Sequence, residues 1–130
     1  MSEYYEAVSV IVREDLETFC RQFFVDGSGV WLARLDGAVV GCIALRPLDS
    51  TRGEVKRLYV QPAHRGLGIA AQLLDALHDY ARAAGYRWLY LDSKDDLPAA
   101  HAFYQKRGYT PCPRYNDNPQ ATIFMRKQLA

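Results

Sequence analysis

The hydrophobic pattern changes period along the chain, and each change predicts an element. Val30 to Leu35 is apolar and extended, Asp36-Gly37 is a strong hairpin signal, and Ala38 to Leu45 (AVVGCIAL) reads as a second strand. Pro47 and Asp49-Ser50-Thr51-Arg52-Gly53 predict a turn, and Glu54 to Val60 (EVKRLYV) a third strand. The period then lengthens. Between Ile69 and Ala84 apolar residues fall at 69, 70, 73, 74, 77, 80, 81 and 84, with Gln72, Asp75, Asp79 and Arg82 between them. That spacing predicts an amphipathic helix facing a sheet, with Gly85 as its C′ glycine. Arg87 to Leu91 reads as a strand, Pro98 to Arg107 as a short helix capped by Asp95 or Asp96 and ended by Gly108, and Ala121 to Leu129 as the last strand. Near the N-terminus, Tyr5, Val8, Val12, Leu16, Phe19 and Phe23 have helical spacing, whereas the VSVIV run favours a strand. A helix is expected from Leu16 to Phe24, and residues 4–12 stay open between the two. The sum is an α/β domain, an antiparallel meander followed by a strand–helix–strand crossover that should be parallel and right-handed.

Composition narrows the class. The 130 residues amount to about one domain, 1–130, and 49% hydrophobic content supports a core without disulfide or metal staples. The net charge of +1 offers no electrostatic footprint for nucleic acid or an anionic membrane. No stretch approaches the roughly 20 apolar residues of a membrane span, and MSEYYEAVSV lacks the features of a secretion signal. A cytoplasmic enzyme or binding module is expected. Cys20, Cys42 and Cys112 are scattered, form no CxxC, and read as small buried hydrophobes. His64, His78 and His101 form no HxxxH pair, so no metal is expected.

The most informative segment is LYVQPAHRGLGIAA, Leu58 to Ala71. A strand runs into Arg65-Gly66-Leu67-Gly68-Ile69-Ala70 and a helix starts at once. Glycines let the backbone approach a ligand, the first helical amides lack internal partners, and the helix dipole favours negative charge there. Arg65 adds a cation suited to phosphate. A phosphate or pyrophosphate ligand is therefore expected, against the plainer alternative of a tight turn. Gly66-x-Gly68-x-x-Ala71 also fits a dinucleotide fingerprint, with Asp92 at the next strand end. The context argues against it, because the one helix after Asp92 leaves no room for a doubly wound fold. GxxxxGK[ST] is absent, so the segment is no P-loop.

Arg65-x-x-Gly68-x-Ala70, in its VQPAHRGLGIAAQLL context, resembles the [RQ]xxGx[GA] acyl-CoA motif of the GNAT superfamily of N-acetyltransferases. The later AxxxFYQKRGY segment is similar to that family too. The resemblance covers about residues 30–129. It implies a GNAT-like α/β fold, a central mostly antiparallel twisted sheet with a splayed parallel pair and flanking helices. The family usually places a strand and two helices before its first hairpin; only 29 residues precede Val30 here, which implies a shortened N-terminus.

Roles follow from the resemblance. Acetyl-CoA is the implied cosubstrate, with Leu58, Tyr59 and Val60 holding the pantetheine arm by backbone and one amide of this stretch polarising the thioester carbonyl. The amides of Arg65, Gly66, Leu67, Gly68, Ile69, Ala70 and Ala71 would hold the pyrophosphate, and Lys106 a coenzyme phosphate or only solvent. Tyr104 takes the position of the family's general acid; its alternative is a helix aromatic beside Phe103. Glu54 is the candidate base, directly or through a water, against a sheet-end charge paired with Lys56 or Arg57. Tyr115, Asp117 and Asn118 lie in a YxDNP segment similar to that of small-molecule and amino-acid acetyltransferases; they are candidate substrate ligands or a plain turn. The expected function is acetyl transfer to a primary amine of a small molecule or amino acid by direct attack. A non-catalytic acyl-CoA-binding module and a partner-binding subunit are the alternatives. If the first strand is missing, Val30 to Leu35 becomes an open edge, and a homodimer is expected to cover it.

Overall fold

The computed structural model describes residues 9–10, 27–93 and 98–130. Seven strands and two helices follow one another as β1 (Ser9–Val10), β2 (Gly29–Leu35), β3 (Ala38–Pro47), β4 (Arg52–Val60), α1 (Ile69–Ala83), β5 (Trp88–Ser93), α2 (Pro98–Lys106), β6 (Thr110–Pro111) and β7 (Ile123–Gln128). They form one sheet in the order β1-β2-β3-β4-β5-β7-β6. Every neighbouring pair is antiparallel except β4 and β5, the pair that α1 connects. The predicted elements from Val30 onward all appear, with ends moved by a few residues; β6, which the pattern did not announce, adds a short strand beside β7. The expected helix from Leu16 to Phe24 lies outside the described residues.

Each α1 turn contributes to one apolar stripe. Ile69, Leu73, Leu74, Leu77 and Ala81 are buried against β2, β3 and β4, where they meet Trp31, Ala33, Ile43, Leu45 and Val55. Burying one such leucine is worth about 1.5–3 kcal/mol. His78, a polar residue on the same face, is buried as well and shares a 2.9 Å hydrogen bond with the buried Tyr109 hydroxyl. The helix ends as its glycine predicts: Gly85, at φ 91°, lets its own N–H reach Arg82 O and the Tyr86 N–H reach Ala81 O, at 3.2 and 3.0 Å. Gly108, at φ 94°, repeats this closure on α2, and the Tyr109 N–H donates to Tyr104 O at 3.1 Å.

Two expectations change here. Ser9 and Val10 pair with Leu32 and Trp31, so residues within the open 4–12 stretch supply a strand, and the open-edge argument for a homodimer loses its basis at that point. Cys42 and Cys112 are half-buried rather than core residues, because Cys42 lies on the sheet face away from α1 and Cys112 in the loop after β6; Cys20 lies outside the described residues.

Candidate active site

The parallel pair is short. β4 and β5 pair only where Arg52, Gly53 and Glu54 face Trp88, Leu89 and Tyr90. Beyond Glu54 the two strands separate, and the rest of β4 keeps only β3 as its hydrogen-bonded neighbour. The gap is a cleft of about 900 Å³ walled by Val55 to Val60 on one side and by Leu91, Asp92, Ser93 and α2 on the other. A half-unpaired strand beside a cleft is a template for an extended, amide-bearing chain.

β4 carries a bulge in this stretch. Cys42 faces Tyr59 and Ala44 faces Lys56, so Ile43 stands against two residues, Arg57 and Leu58. Arg57 has φ 57°, a left-handed conformation that costs energy for a non-glycine residue. A bulge of this kind breaks the ladder and re-aims the backbone amides locally.

At the end of β4 the glycine loop closes one end of the cleft. Gly66 and Gly68 have φ 83° and 82°, and the helical ladder starts with Gln72 N–H to Gly68 O at 3.1 Å. The amides just before Gln72 therefore lack helical acceptors. Arg65 donates through Nε to Val60 O at 2.9 Å and lies 5.7 Å over the Tyr59 ring. Leu58, Tyr59, Val60, Arg65, Gly66 and Ala70 line the cleft, while Leu67, Gly68, Ile69 and Ala71 complete the turn into α1. The residues present fit a diphosphate joined to an extended arm. Lys106 is exposed at the last turn of α2 and does not line the cleft.

Tyr104 lines the same cleft from α2 and is 9% exposed, held edge-on by Phe103 and Tyr109. Its hydroxyl has no hydrogen-bond partner among the described residues. Burial, with the Asp92 charge nearby, pushes the phenol up to about 12, so it stays protonated through the neutral range.

Glu54, the candidate base, is a buried and heavily hydrogen-bonded carboxylate. It is 0% exposed. Oε1 accepts from Arg46 Nε at 2.6 Å, while Oε2 accepts from the Tyr115 hydroxyl at 2.6 Å and Asn116 Nδ2 at 3.1 Å, with Lys56 Nζ at 3.4 Å. Its partners are Arg46 and Lys56, not Arg57. Four donors on one buried carboxylate make Glu54 the anchor of the Tyr115-Asn116 loop. Asp92 is the carboxylate that lines the cleft. Oδ2 accepts from Asn116 Nδ2 at 2.6 Å, Lys56 Nζ at 3.2 Å and Asn118 Nδ2 at 3.4 Å, whereas Oδ1 has only Lys56 at 3.4 Å. Burial alone would raise its carboxyl, but Asn116, Lys56 and Asn118 together hold it below the usual range.

The structure thus joins Tyr115 to Glu54 by a hydrogen bond, places Tyr104 and Asn118 on the cleft lining, and leaves Asp117 exposed outside that lining. The sequence reading passed over Arg46, met Lys56 only as an alternative partner of Glu54, gave Asn116 no role of its own, and met Asp92 only as the acid of a fingerprint it set aside. One signal was available: in the strand EVK, Glu54 and Lys56 fall on the same face by the period of two.

Comparison with known proteins agrees with this geometry. The family model described as acetyltransferase (GNAT) family matches residues 2–109. A curated IAA acetyltransferase of Azospirillum brasilense is 39% identical over 102 residues, 75% of this chain and 66% of that protein. The chain spans about two thirds of the length of the first curated relatives it matches. A GNAT acetyltransferase structure from Staphylococcus aureus superposes with a TM-score of 0.82 at 25% identity, covering 91% of this chain and 78% of the other. A GNAT acetyltransferase from Elizabethkingia anophelis, which holds acetyl-CoA, shares the fold at TM-score 0.71 and 19% identity, covering 95% and 99%.

Proposed function

This chain belongs to the GNAT family of acetyltransferases, whose cosubstrate is acetyl-CoA, and we propose that it transfers the acetyl group to a primary amine by direct attack. The observation that carries the reading is the cleft between β4 and β5, with the glycine loop at one end and Tyr104 and Asp92 both on its lining.

Bound there, acetyl-CoA supplies the activated acyl group. Leu58, Tyr59 and Val60 extend the ladder to the pantetheine arm, and the amides from Arg65 to Ala71, with the helix dipole behind them, hold the diphosphate. A backbone amide of the bulge polarises the thioester carbonyl in the manner of an oxyanion hole. The amine enters as an ammonium and must lose two protons overall. Asp92 pairs with the ammonium and passes one proton toward solvent first, which frees the nitrogen lone pair that then forms the N–C bond. Tyr104 gives its proton to the departing sulfur and is restored by the second. We assign Glu54 a positioning part: it holds Tyr115 and Asn116, and Asn116 in turn fixes Asp92. The primary amine of a small molecule or amino acid is the acceptor class in this reading.

The test is free-thiol release from acetyl-CoA across a panel of amines. Release that depends on the amine supports the reading. Tight coenzyme binding without release from any amine would leave a binding module in its place.

A further inference from the structure

We infer that the Lys56–Asp92 pair selects the acceptor and that the acceptor is a zwitterionic α-amino acid. The inference rests on the acetyl-transfer reading and narrows it.

Four charges share the face of the sheet where β3, β4 and β5 meet the cleft. Arg46 and Lys56 are cations, Glu54 and Asp92 anions, and each cation is within 4 Å of a carboxylate. The four charges sum to zero, and three of them are largely shielded from water, with side-chain exposures of 24% for Lys56, 9% for Asp92 and 0% for Glu54, while Arg46 at the outer end is 38% exposed. A bare ammonium that docks on Asp92 would set a second cation beside Lys56, where partial desolvation strengthens the repulsion. A zwitterion avoids this. Its ammonium takes Asp92 and its carboxylate takes Lys56, so the charge sum is unchanged and every charge keeps an opposite neighbour.

The two poles differ in how firmly they are held. Asp92 is fixed by Asn116 and Asn118, themselves held by the loop, and among the described residues its Oδ1 has a single contact, at 3.4 Å. Lys56 has only contacts of 3.2 Å or longer and a flexible four-carbon stem. Asp92 is thus a fixed seat for the ammonium, on the cleft wall that Tyr104 shares. Lys56 is a movable seat that swings aside to receive a carboxylate.

Three thioethers of coenzyme A test this without knowledge of the acceptor's side chain: S-(2-aminoethyl), S-propyl and S-(2-amino-2-carboxyethyl). They place a cation, a neutral group or a zwitterion beyond the sulfur. Calorimetry with the full chain should show the zwitterionic thioether bound about tenfold tighter than either of the others. Lys56→Met should reverse the order, making the aminoethyl compound the tightest, because the cluster then lacks one positive charge. Lys56→Arg should restore the zwitterion preference, and Asp92→Asn should abolish the gain from the ammonium. Equal affinities in the wild type, or a zwitterion preference that survives Lys56→Met, would overturn the inference. Coenzyme A itself is the control: if it failed to bind, the acetyl-transfer reading would fall and this inference with it.

Discussion

Glu54→Gln separates an anchoring carboxylate from a catalytic base. The substitution keeps shape and removes the charge and one acceptor. If the amide oxygen keeps Tyr115 and Asn116, the amide nitrogen faces Arg46 Nε, donor against donor, in place of a 2.6 Å ion pair. If the amide turns over, the same opposition falls on Asn116 and Lys56. Either way one charge-assisted hydrogen bond is lost, about 1.5–3 kcal/mol, and a cation is left short of its counter-charge. Breaking a fully buried pair costs about 3–5 kcal/mol. Arg46 is 38% exposed, so water recovers part of this, and about 2–4 kcal/mol remains. For a chain of this size that is a fall in Tm of roughly 8–16 °C. Urea and thermal unfolding by circular dichroism read the loss, and acetyl-CoA turnover measured below the new Tm reads the activity. Turnover should drop only a few-fold, through a loosened Asn116, and the acid limb of the pH–rate profile should persist. A Tm within about 2 °C of wild type, together with a loss of roughly 100-fold or more in kcat, would refute the argument and restore Glu54 as base.

Other substitutions probe the rest of the site. Acetyl-CoA should raise the Tm of the wild type, because it binds only the folded state, and by about 2.7 kcal/mol at a hundredfold excess over Kd. Gly68→Asp should abolish that rise, since it sets a negative charge where the diphosphate lies, and should lower the free protein's own Tm because φ 82° at this position strains a non-glycine residue; retained affinity would mean the loop is only a turn. Tyr104→Phe should leave coenzyme affinity unchanged and lower turnover by about 10- to 1,000-fold; unchanged turnover at saturation would make Tyr104 a packing residue. Because the phenol is raised from 10.0 to about 12, its ionisation should cut no limb into the rate profile up to pH 10. His78 provides a pH test of stability: burial first, then Lys127, Arg82 and Arg107, lower its imidazole from 6.5 to about 4. A depressed folded-state value gives stability that is present above pH 6.5 and lost as pH falls through 4, about 3 kcal/mol over the window. Chemical denaturation across that range should show this loss in the wild type and a flatter curve in His78→Gln; parallel curves would remove His78 as the cause.

The amino-acid pattern by itself determined what is local. Extended runs between turn signals placed β2, β3 and β4, the spacing of Ile69 to Ala81 placed α1 and its buried face, and Gly85 and Gly108 marked helix ends because only a left-handed residue completes those closures. The glycine loop was legible for the same reason, as its chemistry lies in consecutive backbone groups. Tertiary structure decided everything that depends on which strands meet. That β4 and β5 part after Glu54 is a matter of register between residues more than thirty apart, and no turn signal records it. The bulge at Arg57 arises from one extra residue on β4 against β3, invisible until the strands are aligned. Glu54 read as a base because a lone carboxylate on a central strand has no visible partners. Its partners come from the strand before it, from Lys56 on its own strand and from a loop some sixty residues later, and their convergence puts four donors on one buried carboxylate.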